Sequence, residues 1–390
     1  MNNFEFCNPA KIIFGKGTEN QVGKLVKKCG GSKILLHYGG SSIKKNGLYD
    51  SVVKSLKDSG LFFLELGGVQ PNPRLSLVRK GIELCKENDI DFILAVGGGS
   101  VIDSAKGIAA AMKNEKDIWD YYMFHPDEVI DALPIGVVLT IPAAGSETSD
   151  GSVITNEDGN YKRHIGSNCL IPKFAILNPE VTFTLPEYQT ACGASDILAH
   201  LMERYFTQVS NVDLTDRLIE ASIRSILFNA PLALKDPQNY DIRAEIMWAG
   251  TLAHNNLLDT GRVGDWASHE IEHELSGIYD IAHGAGLSIV FPAWMKYVYR
   301  ENIDKFVQFA IRVFDVDYSF DNKERIVIEM INRLEKWYKE MGLPTRLSDA
   351  GINDDKLVEM SKKALEGRLS LGNFKKLQSA DVHEILKLAL

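Results

Sequence analysis

Asp196 and His200 stand four residues apart, His269 and His273 repeat that spacing further along the chain, and His283 follows in Ala282-His283-Gly284. On a helix, positions i and i+4 project from one face, so each pair would present two donor groups side by side. Three imidazoles and a carboxylate suit one divalent ion, and iron and zinc fit the set equally well. A single Asp/His pair at this spacing is also how a surface hydrogen bond worth about 0.2–0.5 kcal/mol looks, so each pair alone leaves both readings open. His37 and His254 lack such company and read as structural. His269-Glu270-Ile271-Glu272-His273 also matches HExxH, the helical zinc signature in which Glu is the general base of a metallopeptidase. Ser276 stands where the extended form of that motif needs Gly, and a peptidase would leave the glycine-rich half of the chain without a task.

That half carries three loops of small residues. Phe92 to Val96 reads as a strand running into Gly97-Gly98-Gly99-Ser100, after which Val101 to Lys106, with Asp103 inside it, begins a helix. Glycines let backbone N–H groups approach an anion, and a helix N-terminus adds partial positive charge where a pyrophosphate would sit. A tight strand-to-helix turn is the alternative. The motif is neither GxGxxG nor Walker A, so a dinucleotide is favoured over a nucleoside triphosphate by little. Gly39-Gly40-Ser41-Ser42 ends an earlier strand and offers glycines and hydroxyls, then Lys44 and Lys45, with no carboxylate for an adenosine ribose. Two unit charges ~4 Å apart interact by roughly 4 kcal/mol at an effective dielectric of 20, so the loop predicts NADP(H) over NAD(H). A plain polar turn with solvated lysines is the alternative. The third loop runs from Thr140 to Ser149, whose hydroxyls could reach a cofactor or merely cap a turn.

These residues need elements to hold them. Lys33 to Tyr38, Leu61 to Leu66, Asp91 to Val96 and Pro134 to Thr140 read as strands, with amphipathic helices at Leu48 to Ser59 and Leu75 to Asn88 between them. Such alternation predicts an α/β, Rossmann-like N-terminal domain with a mostly parallel sheet, residues 1–183. Gly151 to Lys162 reads as an inserted hairpin. From Thr184 onward long 3.6-residue periods follow one another, which predicts an all-α C-terminal domain, residues 184–390.

At 390 residues, two or three domains of ordinary size are expected. The charge of −9 excludes the basic stripe that phosphate-backbone binding demands, so nucleic acid and anionic membrane are poor partners and a small molecule is the better one. Five scattered cysteines without a CxxC pair, and no visible secretory signal, predict reduced thiols in a cytoplasmic protein.

Taken together, the motifs resemble the metal-dependent, iron-containing (group III) alcohol dehydrogenase family, and within it the NADPH-dependent butanol dehydrogenase and broad aldehyde reductase members. The resemblance rests on Phe14-Gly15-Lys16-Gly17, Pro71-Asn72-Pro73, Gly97 to Asp103, Thr140-Ile141-Pro142, Asp196 with His200, Trp266 to His269, Ala282-His283-Gly284 and Gly342 to Thr345, almost end to end. It implies the two-domain, dehydroquinate synthase-like fold with cofactor and metal meeting across a cleft, and a homodimer. It also implies roles: Asp196, His200, His269 and His283 as metal ligands, His273 as a proton relay, Gly97, Gly98, Gly99 and Ser100 on the pyrophosphate. Gly39, Gly40, Ser41 and Ser42 would take the adenosine end, while Asn72, Asp103, Thr140, Ser149 and Lys162 would meet other parts of the cofactor. Relatives that use NAD carry Asp where Gly39 stands here, which points again to NADP. Asn178, where the family often has Asp, reads as a strand-end change.

The expected chemistry is hydride transfer between an alcohol or aldehyde carbon and nicotinamide, with the metal as Lewis acid on the substrate oxygen and His273 passing the proton. A dehydroquinate synthase-like or glycerol dehydrogenase-like metal enzyme is the rival reading. The former needs basic residues for an anionic substrate, whereas the surroundings of Trp266 and Ile271 are apolar.

Overall fold

The computed structural model describes residues 1–124 and 128–390. Eight strands occur in it: β1 (Lys11–Phe14), β2 (Lys33–Tyr38), β3 (Phe62–Leu66), β4 (Phe92–Gly97), β5 (Ile135–Leu139), β6 (Gly151–Asn156), β7 (Tyr161–Gly166) and β8 (Phe174–Leu177). Six of them form a parallel sheet in the order β1-β8-β5-β4-β2-β3, and β6 pairs with β7 as the expected antiparallel hairpin. β4 consists of apolar residues and glycine and is buried throughout, as a central parallel strand covered on both faces must be. Its side chains alternate between two cores: Ile93 and Ala95 pack with Leu35 and Val137 on one face, Phe92, Leu94 and Val96 with Ile34 and Leu36 on the other.

The order of pairing fixes where the loops lie. β4 is flanked by β2 and β5 in parallel register, Leu36 opposite Leu94 and Ala95 opposite Val137. The chain steps from β2 outward to β3, then returns to the other side of β2 for β4, so the order reverses between β2 and β4. Loops at such a reversal part and leave a crevice at the carboxyl edge of the sheet. The three small-residue loops leave the carboxyl ends of these three adjacent strands.

The chain divides into two compact units. One comprises Cys7–Leu185 together with Pro237–Asn255; the other comprises Met1–Phe6, Pro186–Asp236 and Asn256–Leu390. This differs from a single division near residue 184. The helix Tyr240–Ala253, expected in the helical part, belongs to the α/β unit: Met247 joins its core, Thr251 Oγ1 donates to Glu147 Oε1 at 2.6 Å, and Trp248 meets Phe14 edge-on at 6.2 Å. The helical unit is built from Glu187–Tyr205, Asp213–Lys235, Ala267–Tyr279, His283–Val298, Ile303–Phe314, Lys323–Glu340 and shorter helices. Among the described residues, no helix is long and apolar enough to cross a membrane.

Candidate metal centre and cofactor cradle

In the helical unit, Glu187–Tyr205 is buried along most of its length from Thr190 to Tyr205, so Asp196 and His200 lie inside the unit. His269 and His273 lie on Ala267–Tyr279 with the same spacing, and His283 is the first residue of the next helix. Four of the sequence-predicted residues come together. The Nε2 atoms of His200, His283 and His269 stand 3.5, 3.8 and 4.0 Å from Asp196 Oδ1. Ligands bound tetrahedrally at about 2.0–2.2 Å are separated by roughly 3.3–3.6 Å, so the distances to Asp196 Oδ1 are close to what one ion needs; Asp196, His200 and His269 form the tightest group, with His283 beside it.

The tautomer of His269 tests that fit. Its Nδ1 donates to Glu203 Oε1 at 2.9 Å, which leaves the lone pair on Nε2. Nε2 is buried and has no hydrogen-bond partner among the described residues. Leaving a buried polar atom unmatched costs about 1–3 kcal/mol, whereas a metal ligand needs that lone pair unshared. The residues present therefore fit a divalent ion.

Glu203 does more than orient one ring. It accepts from the backbone N–H groups of Trp266 at 2.6 Å and His269 at 3.1 Å, which fixes the start of the helix Ala267–Tyr279. Trp266 sits in the left-handed region at φ 69°, unfavourable for a bulky residue, with its ring against the Arg204 guanidinium at 4.7 Å. Glu272, wholly buried, accepts from His283 Nδ1 and from Ser276 Oγ. Carboxylates behind ligating imidazoles set ring orientation and raise donor strength. Sequence reasoning missed both, although Glu203 follows His200 by three residues and Glu272 follows His269 by three, spacings that share a helix face.

His273 falls in a different group. The donor atoms of Asp196, His200 and His269 lie within 4.8 Å of one another, while His273 groups with Glu272 and His283. The two histidines of the HExxH motif thus point to different clusters, and its Glu270 forms an ion pair with Arg368 and lies 3.7 Å from His273 Nδ1. A metallopeptidase would need both histidines on one ion, with the glutamate aimed at its water.

In the α/β unit, Gly97, Gly98, Gly99 and Ser100 join β4 to the helix Gly99–Ala111. A Cβ on Gly97 would come within 2.4 Å of Val101 Cγ2, and one on Gly98 within 3.0 Å of Ile141 Cβ, so close packing alone excludes a larger residue at Gly97 and crowds one at Gly98. Gly98 caps the helix without a side-chain hydrogen bond, which leaves its first N–H groups for an anion. Gly39, Gly40, Ser41 and Ser42 follow β2, and Thr140 follows β5, its N–H donating to Gly97 O at 3.0 Å. Asn72 is buried at φ 53°, in a turn whose Pro73 carbonyl accepts from Thr155 N of β6. Lys162 is buried on β7 opposite Thr155.

Two predicted contacts are already engaged within the protein. Asp103 Oδ1 accepts from Ser146 Oγ at 2.6 Å and Oδ2 from Val153 N at 3.0 Å, while Ser149 Oγ lies 3.3 Å from Lys106 Nζ. Burial pushes the Asp103 carboxyl above the usual carboxylate range. Outside both sites, Asn178 caps the turn Pro179–Thr182 by accepting from Glu180 N, in keeping with a strand-end role.

Family models match most of the chain: one described as iron-containing alcohol dehydrogenase over residues 9–179, and one for the C-terminal part of the same family over residues 190–390. A probable NADH-dependent butanol dehydrogenase 2 of Bacillus subtilis is 46% identical, with both chains covered in full. The crystal structure of NADH-dependent butanol dehydrogenase A of Thermotoga maritima, 44% identical, superimposes with a TM-score of 0.96 over 100% of this chain and 99% of that one. The NADPH-dependent aldehyde reductase YqhD of Escherichia coli is 36% identical over 95% of each chain.

These findings overturn the expected preference for NADP(H): relatives at 41–46% identity are named NADH-dependent butanol dehydrogenases. The structure supplies a physical reason. The carboxylate absent from the Gly39–Ser42 loop is present on the neighbouring strand, where Glu65 lies 3.8 Å from Lys44 Nζ and accepts from the Tyr38 and Tyr49 hydroxyls. Burial raises the Glu65 pKa, but those two hydroxyls and the Lys44 ammonium outweigh it and hold the carboxylate below its ordinary value. Lys44, one of the two lysines that follow the loop, is thus paired with an ionised glutamate and packed over the rings of Tyr49 and Tyr38. By its matches over both halves and its full-length likeness to solved and curated members, the chain belongs to the iron-containing alcohol dehydrogenase family.

Proposed function

We propose that this protein is an NADH-linked, metal-dependent alcohol dehydrogenase that interconverts short-chain primary alcohols, butanol among them, and their aldehydes. The observation that carries the reading is the convergence of three imidazole Nε2 atoms on Asp196 Oδ1, with the buried His269 Nε2 lacking a hydrogen-bond partner among the described residues. Asp196, His200, His269 and His283 are the proposed ligands of one divalent ion, iron in keeping with the family's name. When bound, the ion supplies Lewis-acid polarisation of the substrate oxygen and the nicotinamide supplies or accepts the hydride.

The rest falls to the chain. Glu203 and Glu272 hold the His269 and His283 rings so that Nε2 and not Nδ1 is offered. Trp266 closes one side of the cluster with its ring 5.4 Å from His269 and 5.8 Å from His200, which excludes water and strengthens electrostatic interactions there. In reduction, aldehyde, NADH and one proton become alcohol and NAD⁺; His273 is the proposed source of that proton. The uncapped start of the helix Gly99–Ala111, with Gly39 to Ser42, Asn72, Thr140 and Lys162, forms the proposed cofactor cradle.

A reducing, cytoplasmic setting accords with five free cysteines. A homodimer accords with β1, which pairs only with β8 among the described strands and leaves one sheet edge open. The test is direct: NADH absorbance is followed on adding butanal, with and without a chelator. Aldehyde-dependent loss of absorbance that the chelator abolishes supports the reading, and turnover unaffected by complete metal removal refutes it.

A further inference from the structure

Lys106 is wholly buried, yet neither the metal cluster nor the phosphate cradle uses it. It lies two turns into the helix Gly99–Ala111, three residues beyond Asp103 and hence on the same face. An ammonium has three N–H donors and no acceptor, and burying it is unfavourable unless all three are matched. All three have a partner here: Ser149 O at 2.8 Å, Gly151 O at 2.7 Å and Ser149 Oγ at 3.3 Å. Asp103 grips the same stretch with the opposite polarity, through Ser146 Oγ, Val153 N and, by its own carbonyl, Ser152 Oγ at 2.8 Å. One cation and one anion on a single helix face thus hold residues 146–153 at both ends.

That stretch joins the Thr140 loop to the β6–β7 hairpin carrying Lys162, and its anchoring helix begins in the glycine cradle. We propose that Lys106 is a positioning residue for the cofactor: it locks the Ser149–Gly151 turn to the helix whose N-terminus receives the pyrophosphate, so that cradle and loop present one prepared surface. The proposal rests on reading that cradle as the dinucleotide site. An apolar residue at this position would leave the Ser149 and Gly151 carbonyls facing a dry interior, and the turn would swing out to find water.

The charge gives a second handle. Desolvation draws the Lys106 pKa down to about 8, opposed by the carboxylates facing it: Asp103 from its own helix, and Asp150 and Glu147 from the loop. Lys162, on the hairpin, acts on Asp103. As pH rises through 8 the ammonium becomes an amine with two N–H groups and a lone pair, so one of its three acceptors loses its donor.

The experiment is NADH binding by fluorescence titration to metal-loaded wild type, Lys106→Met, Lys106→Gln and Ser100→Val, with kcat and metal content measured in parallel. The expected result is a Kd for NADH raised about 10-fold in both Lys106 variants while kcat at saturating NADH falls by no more than about threefold, a split that loss of folded protein does not produce. Wild-type Kd should also rise between pH 7 and 9.5, a readout that needs no variant to fold, and the rise should vanish in Lys106→Met. Unchanged Kd in both Lys106 variants, with only a lowered Tm, would overturn the positioning role. If Ser100→Val then still weakened binding, the cofactor reading would stand without it. Wild type that bound no NADH would remove both.

Discussion

Two buried histidines show how differently the two units are built. His37, on β2 of the α/β unit, has both ring nitrogens matched: Nδ1 donates to Leu66 O and Nε2 accepts from Ser104 Oγ, each at 2.8 Å. His269, in the helical unit, has Nδ1 matched by Glu203 and Nε2 left over. The first ring is complete without any ligand; the second keeps one nitrogen that a bound ion would engage. The contrast extends to their surroundings. The proposed cofactor cradle is built largely on backbone and small residues, with Gly97 and Gly98 crowded against an added Cβ, whereas the proposed metal centre is side chains backed by carboxylates, which truncation would empty.

Perturbing each unit should therefore break one function and spare the other. The largest effect is expected from His269→Ala. Loss of the ion forfeits several kcal/mol of transition-state stabilisation, so turnover should fall by about 10²–10⁴-fold, with metal content reduced and NADH affinity unchanged. Metal analysis beside NADH titration checks it, and a matching loss of NADH affinity would blur the division.

Next in size is the acid response of His37, whose pKa burial lowers from 6.5 to about 4. A folded-state pKa below the unfolded value means that the unfolded chain binds the proton more readily. Stability from this group is full above pH 6.5 and is lost as pH falls toward 4, by about 3 kcal/mol in all. Thermal melts across that range should show a steeper decline for wild type than for His37→Gln; parallel curves would contradict the neutral, internally bonded ring.

Glu203→Gln should then weaken metal affinity by about 10–100-fold, read by competition with a chelator, while NADH binding holds. Smallest of the four is Gly98→Val, where the added side chain meets Ile141. Overpacking of this kind costs about 1–3 kcal/mol, and here it should raise the Kd for NADH up to about 10-fold without touching metal content.

How much of this was legible in the sequence follows from the range of the interactions. The strands β2 to β5, the hairpin and the loops behind the strands carry their signal locally, in short β-branched, aromatic or leucine-rich runs followed by small residues. β1 and β8 escaped notice because each is only four residues long and shows no alternation. The helix Tyr240–Ala253 was legible as a helix but not as part of the α/β unit, since a 3.6-residue period marks a buried face without naming what buries it. Histidine and aspartate spacing found five candidates, Asp196, His200, His269, His273 and His283, because i,i+4 pairs are local; the family resemblance singled out the three imidazoles that face Asp196 Oδ1.

The NADP expectation failed for the opposite reason. Gly39 to Ser42 contain no carboxylate, but Glu65 arrives from the next strand, opposite Leu36, a pairing that no reading of the loop alone could reveal. Glu203 and Lys106 were equally hidden. In the sequence each is one more charged residue on a helix; in the fold each is wholly buried.

The central claim, a metal-holding unit and a nucleotide-holding unit that can be disabled separately, is tested most directly by stripping the metal and titrating it back. The metal-free protein should bind NADH normally and leave butanal unreduced, and turnover should return in proportion to added Fe²⁺ up to one ion per chain. Full turnover by metal-free protein would contradict the account.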